Sequence, residues 1–166
     1  LVAENKLEQL TQKFLKDYWD FSPTTGSRIG LHQYDGRLPE FSPSRVRARI
    51  GELRRSLGQL STIATEQLSK DQLLSYRLLD LLLKKELFNL HEWRTLESNP
   101  MKQVGFLNVS GYVRRNYAPL VDRIRSAIAV LNGVHEFPAL LKPTLLPNSG
   151  HFVLEMTIKV YKGMAR

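Results

Sequence analysis

The sequence predicts an all-α protein: an antiparallel helical bundle with a long central Leu-rich helix and an irregular connector after the first helix. Three observations carry that expectation. Apolar residues recur at steps of three and four in several separate windows. No window alternates convincingly between apolar and polar residues, as a half-buried strand would. Proline and glycine pairs punctuate the chain between the periodic windows, as in a succession of helix hairpins. The 166 residues fit a single helical domain spanning 1–166. A domain of about 150 residues hides roughly 68–70% of its unfolded surface, so a real core is within reach.

Ala3, Leu7, Leu10, Phe14, Tyr18 and Phe21 mark the first helix. Ser22-Pro23 ends it, because the residue before a proline avoids the helical region. A connector punctuated by Gly26, Gly30, Gly36 and Pro39 follows, with a short helical turn expected from Arg28 to His32. The second helix starts near Ser42-Pro43 or Ser44, with serine as cap and proline in the first turn. Its stripe is Val46, Ile50, Leu53, Leu57, Leu60 and Ala64. Gly51 and Gly58 weaken that helix by ~1 kcal/mol each relative to alanine, unless a neighbouring helix uses the space.

Ser69-Lys70-Asp71-Gln72 fits a capping box and opens a third helix reaching Trp93 or Leu96. Leu73, Leu74, Leu78, Leu79, Leu81, Leu82, Leu83, Leu87 and Leu90 cover most of its circumference, which predicts burial on several sides. Asn99-Pro100 breaks it. Val104 to Val113, with Gly105 and Gly111 inside, favours a short helix. Pro119 opens the next helix through Leu120, Ile124, Ile128 and Leu131, and Asn132-Gly133 stops it in the manner of a left-handed cap. Phe137-Pro138 starts a short helix bounded by Pro143 and Pro147. The last helix begins near Gly150 and carries Val153, Met156, Val160 and Met164.

The composition, 42% hydrophobic and 24% charged, is that of a globular chain and not of a disordered tail. No apolar run reaches the ~18 residues that span a bilayer; Leu73 to Leu90 is interrupted by Arg77, Asp80, Lys84, Lys85 and Glu86. The absence of cysteine excludes disulfides, thiolate metal sites and a cysteine nucleophile, and names no compartment. A net charge of +8 raises the question of nucleic acid. The densest cluster is Arg45, Arg47, Arg49, Arg54 and Arg55. On a helical wheel these scatter around both flanks and the back of the helix, so a solvated surface is the expectation and no nucleic-acid partner.

Catalytic motifs are approached and missed. A zincin helix needs two histidines four apart with a glutamate after the first, so that both imidazoles share a face and the carboxylate activates water. His91-Glu92 is followed by Thr95 where the second histidine belongs, and His135-Glu136 by Ala139. Ser110 and Ser149 sit beside glycine outside any nucleophile elbow. The glycines near Gly26 and Gly30 lack the Lys-Ser/Thr ending of a phosphate loop. Asn108-Val109-Ser110 is a formal glycosylation sequon. The connector Gly30-Leu31-His32-Gln33-Tyr34-Asp35-Gly36-Arg37-Leu38-Pro39 is the densest set of reactive side chains. Structurally it reads as a turn: Asp35 bonds its own backbone, Arg37 pairs with Glu40 or Asp35, and Tyr34 and Leu38 pack down. Functionally, His32, Tyr34 and Arg37 are the candidate contacts to a substrate cleft.

That connector, preceded by Pro23, resembles the opening of the bacterial domain-of-unknown-function family 885. So do Asn99-Pro100 after the Leu-rich helix, Arg115-Asn116-Tyr117-Ala118-Pro119-Leu120 before a helix, and Phe137-Pro138-Ala139-Leu140-Leu141, all in order. Gly26-Ser27 departs from the usual Ala-Thr, and Lys102-Gln103-Val104 stands where a tyrosine is expected. The resemblance implies a longer, mostly helical protein similar to zinc-dependent peptidases. Its His-Glu pair, followed by Pro-Gly-His and a further acidic ligand, lies in a later part. His135-Glu136-Phe137-Pro138 does not match that motif, so no catalytic or metal residue carries over.

The implied role is a non-catalytic N-terminal fragment whose partner is the C-terminal remainder of the same protein, with a peptide as substrate. This chain alone is then not an enzyme and holds no cofactor; zinc belongs to the full-length parent. The basic last helix with Lys159, Lys162 and Arg166 agrees with a cut before the catalytic part. The alternative is a stand-alone helical binding or scaffold module.

Overall fold

The computed structural model describes residues 2–99, 101–102, 105–133 and 151–164. Among them the secondary structure is helical throughout, with no strand. The helices are α1 (Val2–Phe21), α2 (Pro23–Arg28), α3 (Pro43–Ser61), α4 (Lys70–Leu87), α5 (Thr95–Ser98), α6 (Ser110–Arg114), α7 (Leu120–Asn132) and α8 (His151–Met164). His135-Glu136 and the helix expected from Phe137-Pro138 lie outside the described residues. Within the chain, the backbone groups into two compact units: Leu1–Tyr18 with Ser44–Arg94, and Trp19–Pro43 with Thr95–Arg166.

The first unit is built from α1, α3 and α4. Ala3, Leu7, Leu10 and Phe14 are buried, as their spacing predicts. Lys6 to Lys13 of α1 share a groove with Gln59 to Ile63, while Phe14 lies under the Arg49 guanidinium, so α1 and α3 run antiparallel. The capping box at Ser69 forms in both directions. Past Leu87 the helix widens into a π turn, Phe88–Glu92, closed by Trp93 N–H donating to Phe88 O at 2.9 Å. Arg94, at φ 49°, ends it.

Three expectations fail here, each for a physical reason. The buried face of α3 includes Arg49 and Ser56 between Val46, Leu53 and Leu60. Arg49, only 1% exposed, is no solvated surface charge: its Nε and Nη2 donate to both Glu86 oxygens at 2.8 and 2.9 Å. Its Nη1 donates to Glu52 at 3.2 Å, and Arg45 donates to the same carboxylate at 3.1 Å. The Leu-rich helix is not buried on several sides. Leu79, Leu83 and Leu90 point inward, while Leu74, Leu78 and Leu81 are 68%, 54% and 60% exposed. Gly58 has nothing near the position of a Cβ, and Gly51 only the tip of Arg55, so neither admits a neighbouring helix.

In the second unit, Phe21 meets Phe41 edge to face and Phe41 in turn packs at a tilt on Phe106, with centroids 5.4 and 5.1 Å apart. Tyr112, Ala127 and Val130 form a core flanked by Leu38, Val109 and Tyr117. The stripe predicted for α7 faces solvent: Leu120, Ile124, Ile128 and Leu131 are all exposed, and Arg123, Ala127 and Val130 are buried instead. Arg123 sets that rotation. Its Nη1 donates to the carbonyls of Tyr112, Val113 and Arg115 at 3.0, 3.3 and 2.7 Å, and its Nε to that of Ala118 at 2.9 Å. The fixed fork of guanidinium donors gathers the carbonyls of that loop. Gly133 ends α7 in the right-handed region, not as a left-handed cap. A Cβ there would stand 2.2 Å from Leu38 Cδ1, so a larger residue would require that side chain to shift. In α8, Met156 is exposed and Thr157 buried.

Candidate functional site

The connector folds as α2, a bend, and a 3-10 turn at His32–Tyr34. Tyr34 drops into the core, 6% exposed, against Trp19. Its ring would be 2.9 Å from a Cβ at position 26, which is why glycine fits where the family resemblance has alanine. Gly36 takes φ +74°, a conformation that other residues rarely adopt.

This geometry leaves Asp35 at the centre of a polar network. Ser27 Oγ donates to its Oδ1. Tyr117 Oη donates to Oδ2 at 2.7 Å, and His32 Nδ1 lies 3.1 Å from the same oxygen. Ser27 Oγ and Tyr112 Oη are 3.2 Å apart, and Gly36 N–H donates to Tyr112 Oη at 3.0 Å. The single serine proton goes to Asp35, so the Tyr112 phenol donates to Ser27. The result is a directional chain from Gly36 through Tyr112 and Ser27 to the carboxylate. The His32 ring stacks flat on Tyr117, centroids 3.7 Å apart and planes within 2°. Arg115 Nη1 donates to the carbonyl of Arg28 at 2.6 Å.

Burial pushes the Tyr117 phenol well above its ordinary value, and the hydrogen bond to the Asp35 carboxylate pushes it further. Tyr117 is thus a fixed donor at neutral pH and not a base. A serine hydrolase needs imidazole between serine and carboxylate. Here the carboxylate stands between Ser27 and His32, so the imidazole takes no proton from the hydroxyl. The arrangement holds a shape and does not activate a nucleophile.

Beside the network lies a cavity of about 300 Å³, lined by Thr24, Ser27, Arg28, His32, Phe106, Ser110, Tyr112, Arg114, Arg115 and Tyr117 among others. The His32–Tyr117 stack also lines a second one of about 430 Å³ with Asp35, Asp122 and Arg123. Of the three candidates from the sequence, only His32 lines either. Tyr34 is core. Arg37 lies over the Tyr34 ring at 5.1 Å and 3.7 Å from Asp20, rather than pairing with Glu40 or Asp35. Asp35, instead of capping its own turn, takes up Ser27, His32 and Tyr117. Sequence reasoning missed Ser27, Tyr112, Tyr117 and Arg123. The available signal was that the connector and the 115–120 segment both carry the family resemblance; in the structure these two segments meet.

His91 in the other unit has both ring nitrogens engaged. Arg54 Nη2 donates to Nε2 at 3.0 Å, so Nδ1 carries the proton toward Glu92. Among the described residues no group of three His, Cys, Asp or Glu side chains is placed to hold a metal ion, so the residues present do not fit a zinc site. No helix among them is long and apolar enough to cross a membrane.

Comparison with known proteins adds three findings. Residues 23–162 match the family described as bacterial protein of unknown function, DUF885. No curated protein matches. Among solved structures the chain is similar to one described as "a putative lipoprotein of unknown function" from Shewanella oneidensis, with a TM-score of 0.80 and 21% sequence identity. The match covers 95% of this chain and 29% of that one, a likeness of fold.

Proposed function

The chain belongs to the DUF885 family of bacterial proteins of unknown function, and from that premise we propose that it is the non-catalytic N-terminal helical part of a longer zinc-dependent peptidase-like hydrolase. The observation that carries the reading is the pair of apolar stripes turned to solvent. One is Leu74, Leu78 and Leu81 on α4; the other is Leu120, Ile124, Ile128 and Leu131 on α7. Contiguous exposed apolar surface of this kind marks an interaction face. The partner is the C-terminal remainder of the same protein, and the 29% coverage of the similar structure leaves ample chain to supply it. Zinc, a peptide substrate and the catalytic carboxylate belong to that remainder. In this reading His32, which lines both cavities, is the residue of this part that contacts substrate.

Metal analysis tests the division of labour. The parent is expected to hold zinc stoichiometrically and this chain, purified alone, to hold none. Tight stoichiometric zinc in this chain would overturn the reading. A second reading, a stand-alone helical binding module, is favoured by one observation: the described residues that line the 300 Å³ cavity all belong to a single unit. Under it the isolated chain unfolds cooperatively without self-association, whereas aggregation through the two stripes counts against it.

A further inference from the structure

We propose that the cavity beside the Asp35 network is a binding site for a small organic anion, whose carboxylate or phosphate group is held by Arg28 and Arg114 and whose chain rests on Phe106. Two observations converge on it. First, among the described residues the lining holds Arg28, Arg114 and Arg115 and no acidic residue. Arg115 is committed to the Arg28 carbonyl. The guanidinium groups of Arg28 and Arg114 have no hydrogen bond or ion pair among the described residues. Two uncommitted guanidinium forks on one cavity match an oxyanion, which each can hold through two parallel N–H bonds.

Second, the space is real and its walls are fixed. Gly105 and Gly111 line it, and a Cβ on either would meet nothing within 4 Å. The opposite wall is braced by the Ser27–Asp35–Tyr117 bonds. A volume of about 300 Å³ lies at the lower end of ligand pockets, suited to a molecule of dipeptide size or less. The proposal is independent of the hydrolase reading, since it concerns only residues within one unit.

Titration calorimetry of the purified chain at constant ionic strength tests it, with succinate, inorganic phosphate and the neutral analogue succinamide as probes. Saturable binding of succinate or phosphate, with none of succinamide, is expected; the better of the two anions identifies the head group. Arg28→Ala with Arg114→Ala weakens binding about tenfold or more, the usual loss with charge-assisted bonds. Both side chains are exposed, so the fold survives. Gly111→Leu fills the cavity while keeping both arginines, and abolishes binding. No saturable binding of either anion, equal binding of succinamide, or affinity unchanged by the double arginine variant would overturn the proposal.

Discussion

At the scale of single residues, Asp35 organises the connector because three elements bring donors to one carboxylate. Tyr117 is the donor with a measurable consequence. Its folded-state pKa is raised, first by burial and then by Asp35. An unfolded tyrosine ionises near pH ~10. Below that pH both states hold the proton and the contribution to stability is complete. Above it the unfolded chain loses the proton while the folded one keeps it, so stability falls as pH rises. Tyr117→Phe retains the ring under His32 and removes the bond to the carboxylate. It is expected to cost ~1–2 kcal/mol at pH 8. The gap between the two proteins should close toward pH 11, because the phenylalanine variant has no such titration. Urea unfolding at the two pH values measures this, and a gap independent of pH would rule the mechanism out.

At the scale of elements, the sequence was legible wherever apolar spacing alone decided the outcome. Helix α1, its stop at Ser22-Pro23 and the capping box at Ser69 are read directly from spacing and cap chemistry. Illegible were the positions where a polar side chain displaced an apolar one from the core. Periodicity cannot show that Arg49 turns inward, because the reason is Glu86, thirty-seven residues away. Nor can it show that Arg123 rotates α7, because its partners are loop carbonyls. The same limit applied to the candidate site. Reactive residue types drew attention to His32, Tyr34 and Arg37, whereas the network is centred on Asp35 and on tyrosines far along the chain. Burial opposes the Arg49 charge, and Glu86 and Glu52 more than offset it, holding the guanidinium ionised. Glu86→Ala therefore strands a buried cation and is expected to cost ~3–5 kcal/mol. Arg49→Met combined with Glu86→Leu is expected to recover most of that loss, since apolar isosteres avoid the desolvation of both ions. Equilibrium unfolding of the single and double variants decides it; additive losses would show that packing, not charge, holds α3 to α4.

At the scale of the whole molecule, the distribution of apolar surface is the feature that a complete fold does not explain. A helix whose leucines run most of the way round reads as a central helix, yet α4 hides one face and leaves Leu74, Leu78 and Leu81 in solvent. Helix α7 repeats the pattern in the other unit with Leu120, Ile124, Ile128 and Leu131. Scattered apolar residues on a surface mean little, but two stripes at helical spacing do. The charge of +8 does not compete with this explanation, because part of the basic cluster is spent on Glu52 and Glu86. If the stripes are docking faces for the remainder of a longer chain, their energetic weight depends on context. In this chain alone, Leu74→Gln, Leu78→Glu and Leu81→Gln lie on a largely exposed face and should change stability by no more than ~0.5 kcal/mol each. In the full-length parent the same leucines would be buried, and each polar replacement should cost ~1.5–3 kcal/mol. Parallel unfolding of the triple variant in the two contexts measures the difference. Equal and small effects in both would mean that α4 faces solvent in the parent too, and the docking role would pass to α7 or fall.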